Sequence, residues 1–261
     1  MKFLVIFALA LATVSAFDLR NAEPKLEKEG RIANGENAEN GQFPYQVGLD
    51  FEKEDGSTHV CGGSIISEEY VLTAAHCIEG SERVSVYFGT TSFTAIELEV
   101  SVEAENFIIH EEYDSETLLN DIGLIKVPAL TYTDTIQPVA LPAISDSYPS
   151  YVGDDAIAAG WGYTSDESGN TPDLQWASMK VIGNSESYGP DFPLSQICVS
   201  SEGGVSACDG DSGSPLVLAD TNTQIGLMSF TTVSCTAGNP QSYTRLTSYL
   251  TWISNNTDIE L

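Results

Sequence analysis

Positive charge is what this chain has least of. Five of its ten lysines and arginines (Lys2, Arg20, Lys25, Lys28 and Arg31) fall in the first 31 residues. Residues 32–261 keep only Lys53, Arg83, Lys126, Lys180 and Arg245 against 34 acidic residues, within a net charge of −28. Such a surface repels phosphate backbones and anionic membranes, which argues against nucleic-acid and lipid partners. Long apolar runs are missing too. The only one, within MKFLVIFALALATVSA (1–16), is shorter than the ~20 residues needed to cross a bilayer. It follows a single lysine and ends on Val14-Ser15-Ala16, the pattern of a signal peptide that is removed on export. Internal repeats, low-complexity tracts and proline-rich linkers are absent, so nothing marks a repeat architecture.

Export places the chain in an oxidising compartment, where Cys61, Cys77, Cys198, Cys208 and Cys235 read as disulfide partners and not as metal ligands. Five is odd, so one is left over. Residues 17–31, FDLRNAEPKLEKEGR, are charged and without apolar periodicity and cannot pack a core. Beyond them the texture changes. Short runs rich in Val, Ile, Tyr and Phe, such as YQVGLDF (45–51), RVSVYFG (83–89) and QIGLMSF (224–230), alternate with clusters of Gly, Pro, Asn and Ser. Many short strands between turn signals predict an all-β protein, an antiparallel barrel or a sandwich. Pro138 to Gly153 is the expected crossing between two halves, and SYLTWISNN (248–256) has helical spacing of Leu250, Trp252 and Ile253.

Three local patterns carry chemistry: Leu72-Thr73-Ala74-Ala75-His76-Cys77, Asn120-Asp121-Ile122-Gly123-Leu124-Ile125, and Cys208-Asp209-Gly210-Asp211-Ser212-Gly213-Ser214-Pro215. Taken singly, His76 reads as a core histidine, Asp121 as a strand-start cap and the glycine-rich segment as a tight turn. Together, in the order His, Asp, Ser along one exported all-β chain, they resemble the chymotrypsin family of serine endopeptidases from about Ile32 to Asn255. The resemblance implies two antiparallel six-stranded β-barrels packed together with a C-terminal helix. It sets a protease domain at 32–261, with a first barrel at about 32–140, a second at about 150–246 and the helix at about 247–256. A serine hydroxyl attacks poorly until a base removes its proton, so His76 is expected to activate Ser212, with Asp121 orienting the imidazole. The backbone N–H groups of Gly210 and Ser212 would form the oxyanion hole. Ser214 departs from the glycine usual at its position, which predicts a tuning effect.

Arg31-Ile32-Ala33-Asn34-Gly35 resembles the family's activation junction. Cleavage after Arg31 would free an ammonium on Ile32 to pair with the carboxylate of Asp211, so that 17–31 is an activation propeptide. Ala33 and Asn34 stand where the usual motif has valine and glycine. The resemblance pairs Cys61 with Cys77 and Cys208 with Cys235, leaving Cys198 alone because its family partner would fall near Ser187. It maps the specificity pocket to Ser206, Thr231 and Gln241. Uncharged Ser206 argues against a lysine or arginine preference, since a buried substrate cation would lack a counter-ion. Thr231 and Gln241 should narrow the pocket toward small or medium apolar side chains, or one that hydrogen-bonds the glutamine amide. His59 matches a family histidine near the zymogen position of the Asp211 carboxylate and reads as structural, while His110 has no partner in any motif. Glu111, Glu112, Asp114 and Glu116 lack ordered calcium-ligand spacing and read as a solvated loop. Asn255-Asn256-Thr257 is an N-glycosylation acceptor.

The segment Cys235 to Arg245 looks like the arthropod digestive and collagenolytic branch of the family. No cofactor and no metal are implied. The expected partners are protein or peptide substrates, an activating protease and protease inhibitors, met by a monomer in the extracellular space. Scarce lysine and arginine would suit a gut lumen that holds trypsin-like neighbours. The competing reading is a catalytically silent secreted binding protein on the same fold.

Overall fold

The computed structural model describes residues 32, 35–166, 168–231 and 234–261. The segments expected to be signal peptide and propeptide, Arg31 included, and the pair Ala33–Asn34 therefore lie outside the described residues. A two-residue strand, β1 (Glu36–Asn37), precedes a first sheet built from β2 (Gln46–Lys53), β3 (Thr58–Ile65), β4 (Tyr70–Thr73), β5 (Ser81–Phe88), β6 (Leu98–Glu103), β7 (Phe107–Ile109) and β8 (Gly123–Lys126). Strand alternation sets which face is buried. In β5, Val84, Val86 and Phe88 are buried while Arg83, Ser85 and Tyr87 between them are partly or fully exposed. The order is β6-β5-β2-β3-β4-β8-β7, antiparallel throughout. Only a 3-10 turn (Ala104–Asn106) separates β6 from β7. They act as one bent strand whose halves pair with opposite ends of the sheet, which closes a six-stranded barrel.

The second barrel comprises β9 (Asp155–Gly160), β10 (Gln175–Ile182), β11 (Gln196–Val199), β12 (Pro215–Leu218), β13 (Gln224–Phe230) and β14 (Gln241–Arg245). Its order β10-β11-β14-β13-β12-β9 is closed by pairing of β9 with β10, and β1 adds to β10 as a seventh strand. Each barrel has its own core, Val47, Leu49, Phe51 and Val86 in the first and Ala156, Ile197, Leu216 and Tyr243 in the second. A third cluster joins them: Leu72, Ile122 and Leu124 meet Trp161, Leu227 and the C-terminal helix α3 (Leu250–Asn256). Fully burying such a side chain stabilises the fold by about 1.5–3 kcal/mol, so this shared core holds the barrels in register. Two shorter helices, α1 (Ala75–Ile78) and α2 (Asn184–Ser187), follow β4 and β10.

The helix begins later than the sequence suggests, because Leu246–Ser248 form a 3-10 turn. His110, which no motif engages, finds its partners on the C-terminal helix and just before it. Its ring packs edge-on to Tyr249 (5.5 Å between centroids) and against Trp252 (5.2 Å), and so docks α3 on the first barrel. Glu111 likewise accepts a hydrogen bond from Trp252 Nε1 at 2.9 Å, a tertiary use for part of the acidic loop. Asn255 is exposed on α3.

Candidate active site

The site forms where the ends of strands from both barrels converge. His76 lies on α1, a single turn after β4 that is anchored by the Cys61–Cys77 disulfide. Asp121 lies two residues before β8 and is fully buried. Its Oδ2 lies 2.8 Å from His76 Nδ1, and its Oδ1 accepts the His76 backbone N–H at 2.9 Å. A carboxylate only accepts, so Nδ1 carries the proton and Nε2 is left as the basic nitrogen. Two further groups hold Asp121 and a third holds its neighbour Asn120. Ser229 donates its hydroxyl to Oδ2 at 2.6 Å, Thr244 donates to the Asp121 carbonyl at 2.9 Å, and Tyr249 donates to Asn120 Oδ1 at 3.0 Å. Asn120 has φ +56°, a conformation that asparagine adopts more readily than most residues.

Ser212 sits in the loop before β12, half-buried. The loop is stitched across the interface. Gly62 N–H on β3 donates to the Ser212 carbonyl at 2.7 Å, Gly213 N–H to the Met228 carbonyl at 2.8 Å, and Met228 N–H to the Ser214 carbonyl at 2.9 Å. Since Ser229 follows Met228, the same end of β13 fixes both the serine loop and the aspartate. Gly210 adopts φ +96°, and a Cβ there would lie 2.9 Å from Asn170 Oδ1 and 3.1 Å from Gly162 Cα. Only glycine fits this turn, which leaves its N–H free of a side chain. Ser214 occupies the seam between the barrels, its Oγ accepting from Gln46 Nε2 at 3.2 Å.

Asp211 is buried, with Oδ1 accepting from Gly162 N–H at 2.8 Å and Oδ2 from Cys208 N–H at 2.9 Å. Burial pushes its pKa up to about 7, opposed by these two amides. A Cβ on Gly162 would fall 2.5 Å from the Asp211 carboxyl carbon, so the carboxylate needs glycine beside it. His59 is turned to other partners, with Nε2 2.8 Å from the Cys77 carbonyl and its ring stacked on Phe51 at 5.3 Å. Ile32 is buried as well, at φ +45°.

A pocket of about 410 Å³ opens beside Ser212, lined by Cys208, Asp209, Met228, Ser229, Phe230 and Thr231. Of the three residues expected to shape it, Thr231 lines the wall. Ser206 and Gln241 are buried apart from that lining and bond each other. Gln241 Nε2 donates to Ser206 Oγ (2.8 Å) and to the Ala207 carbonyl (2.7 Å), while its Oε1 accepts the Ala207 N–H (2.9 Å). Both amide protons are already used. Through these bonds Gln241 braces the segment before Cys208. The second disulfide joins Cys208 to Cys235, and Cys198 is free and buried beside Ser187, where burial raises its thiol pKa. Among the described residues one group of potential metal ligands gathers, Cys61, His76 and Cys77, but its two sulfurs are consumed in a disulfide.

The model of the Trypsin family matches residues 32–253. The chain belongs to the trypsin family. Among proteins of known activity it is 42% identical over 99% of both chains to the collagenase of Hypoderma lineatum. It is 37% identical to the chymotrypsin of Phaedon cochleariae, over 90% of this chain and 86% of that one. The solved structure of HL collagenase superposes with a TM-score of 0.80 at 39% identity, covering 87% of this chain and 99% of the other. This trypsin-family protein is thus a serine endopeptidase, a hydrolase with peptide substrates. Its two disulfides suit an extracellular setting.

Ser229, Thr244 and Tyr249 were not singled out by sequence reasoning. Each lies more than 100 residues from Asp121 or Asn120, and nothing local distinguishes a serine that ends a strand from any other.

Proposed function

We propose that this protein is a secreted digestive endopeptidase, made as a zymogen and cut after Arg31, whose catalytic triad is His76, Asp121 and Ser212. The observation that carries the reading is the buried Asp121 carboxylate 2.8 Å from His76 Nδ1, which leaves Nε2 as the base for Ser212. As Ser212 Oγ attacks the substrate carbonyl, its proton passes to Nε2. The amide N–H groups of Gly210 and Ser212 receive the negative charge that develops on oxygen. The C–N bond then breaks, the proton moves from Nε2 to the departing amine, and an acyl ester remains on Ser212. Water hydrolyses that ester by the same steps, with His76 again as base.

The pocket wall at Thr231 favours small or medium apolar side chains before the cut bond. For activation, the supporting feature is Ile32. A β-branched residue at φ +45° is strained, and cutting the Arg31–Ile32 bond abolishes that dihedral. The freed ammonium then neutralises Asp211, whose burial is costly while it is unpaired. The digestive reading draws on the placement of positive charge. Lys53, Arg83, Lys126, Lys180 and Arg245 all lie in strands, at β2, β5, β8, β10 and β14. Proteases need a mobile, exposed segment, so a trypsin-like neighbour in a gut lumen meets no loop lysine or arginine between residues 35 and 261, and Arg31 stands apart as the activation site.

The test is cleavage mapping of a mixed peptide library by mass spectrometry after cutting the precursor at Arg31, with Ser212→Ala as control. Cleavage after apolar residues that the control lacks is the expected result. A verified Ile32 terminus without Ser212-dependent cleavage would move the protein to the silent binding class.

A further inference from the structure

The chain leaves β13 at Phe230 and enters β14 at Gln241, and the loop between them begins at Thr231, in the lining of the pocket beside Ser212. Among the described residues of this loop, none makes a backbone-to-backbone hydrogen bond. It is fastened from three places instead. The disulfide ties Cys235 to Cys208, which also lines the pocket, and the Tyr188 hydroxyl donates to the Pro240 carbonyl at 2.6 Å. The third fastening is one carboxylate. Asp166 Oδ1 accepts the Cys235 backbone N–H at 2.7 Å, and Oδ2 accepts the hydroxyls of Ser234 at 2.8 Å and Thr236 at 2.5 Å.

Asp166 stands on a fixed base. It belongs to the segment after β9, where Gly162 N–H donates to Asp211 Oδ1 and Tyr163 N–H to the Asp209 carbonyl, both at 2.8 Å. Ser168 Oγ accepts the N–H groups of Thr164 and Ser165 at 2.8 and 3.1 Å, which holds the turn that presents the carboxylate. Asp209, like Cys208, lines the pocket. The contacts therefore close a ring, from Asp209 across to Tyr163, along the chain to Asp166, across to Cys235 and back through the disulfide to Cys208. Three donors that converge on two oxygens call for a group that only accepts, which a carboxylate is. Those donors hold the Asp166 carboxyl below the usual carboxylate range, Thr236 most of all. We infer that Asp166 is a positioning residue for substrate selection: it latches the loop after β13 in place, fixes the pocket wall at Thr231 and Cys208, and so sets which side chain before the cut bond is accepted. The inference rests on reading Ser212 as the nucleophile and the pocket beside it as the seat of that side chain.

The test compares mature enzyme with Asp166→Ala and Asp166→Asn. Asparagine keeps an oxygen for the Cys235 N–H and turns its amide to the two hydroxyls, which can accept as well as donate, so it should preserve the latch. The substrates are peptides identical except for alanine, leucine or phenylalanine before the cut bond, and p-nitrophenyl acetate, whose methyl group leaves the pocket unfilled. For the best of the three peptides Asp166→Ala should raise KM about fivefold with kcat little changed, the weight of one net hydrogen bond, and should flatten the preference among the three. Asp166→Asn should keep the parent's KM and preference, and all three proteins should hydrolyse the acetate at one rate. A KM and a preference that Asp166→Ala leaves unchanged would overturn the latch, as would an asparagine variant as impaired as the alanine one. Equal losses on peptides and acetate would overturn it too, by placing the effect at the catalytic centre or in the fold. Absence of Ser212-dependent hydrolysis of any of these substrates by the parent would instead sink the reading of Ser212, and the latch with it.

Discussion

Asp211 makes the pH dependence of folding a test of the activation switch. Its carboxyl sits at about 7 in the uncut fold against 3.8 for a free aspartate, chiefly through burial, with amides from Gly162 and Cys208 as its hydrogen-bond donors. Between those two values the folded chain holds a proton that the unfolded chain has lost, so stability falls as pH rises from about 4 to 7 and levels off above. The difference corresponds to about 4 kcal/mol, a large part of the stability of an ordinary domain. After cleavage at Arg31, the Ile32 ammonium compensates the charge and that fall should vanish. The assay is urea unfolding of Ser212→Ala protein, uncut and cut in trans, from pH 4 to 7.5. Asp211→Asn in the uncut background subtracts the contribution of the other carboxylates. Uncut and cut curves that run parallel within about 1 kcal/mol would refute the reasoning, as would an uncut slope that Asp211→Asn leaves unchanged.

Ser229→Ala removes the 2.6 Å hydroxyl donor to Asp121 and should lower kcat about tenfold with KM little changed, measured on a single peptide substrate. Gln241→Gly takes away three hydrogen bonds around Ala207. It should lower stability by about 1–3 kcal/mol in urea unfolding. Asp146→Lys puts a basic residue in an exposed loop, and trypsin should then cut mature Ser212→Ala protein there at least tenfold faster than it degrades the parent. In the parent any slow cleavage should start at Lys53, where β2 runs into its hairpin turn.

Much of the molecule was legible before any coordinates. Strand alternation in RVSVYFG appears as buried Val84, Val86 and Phe88, and the helical spacing near the C-terminus as buried Leu250, Trp252 and Ile253. The order of the His, Asp and Ser motifs named the family, because each motif is local: a histidine beside a cysteine, an aspartate opening a strand, a serine among glycines. Arithmetic alone left one cysteine over, and the family resemblance picked out Cys198, which is the free one. The bonds of Gln241 were not legible, since composition tells that an amide is present but not that its two protons go to Ser206 and Ala207.

What the sequence by itself determined, then, is the set of elements, the family and the residue types that chemistry requires, all encoded over a few neighbouring positions. Closure of two barrels and their packing through Leu124, Trp161 and Ile253 decided the rest. That packing brings Ser229 to Asp121 and sets His110 against Tyr249 and Trp252. It also folds Phe93 over β2 to make a cavity with Asp50 at its edge. These pairings join residues far apart in the chain, and their partners are chosen by burial and by hydrogen bonds that must be satisfied within the folded core, which no local pattern records.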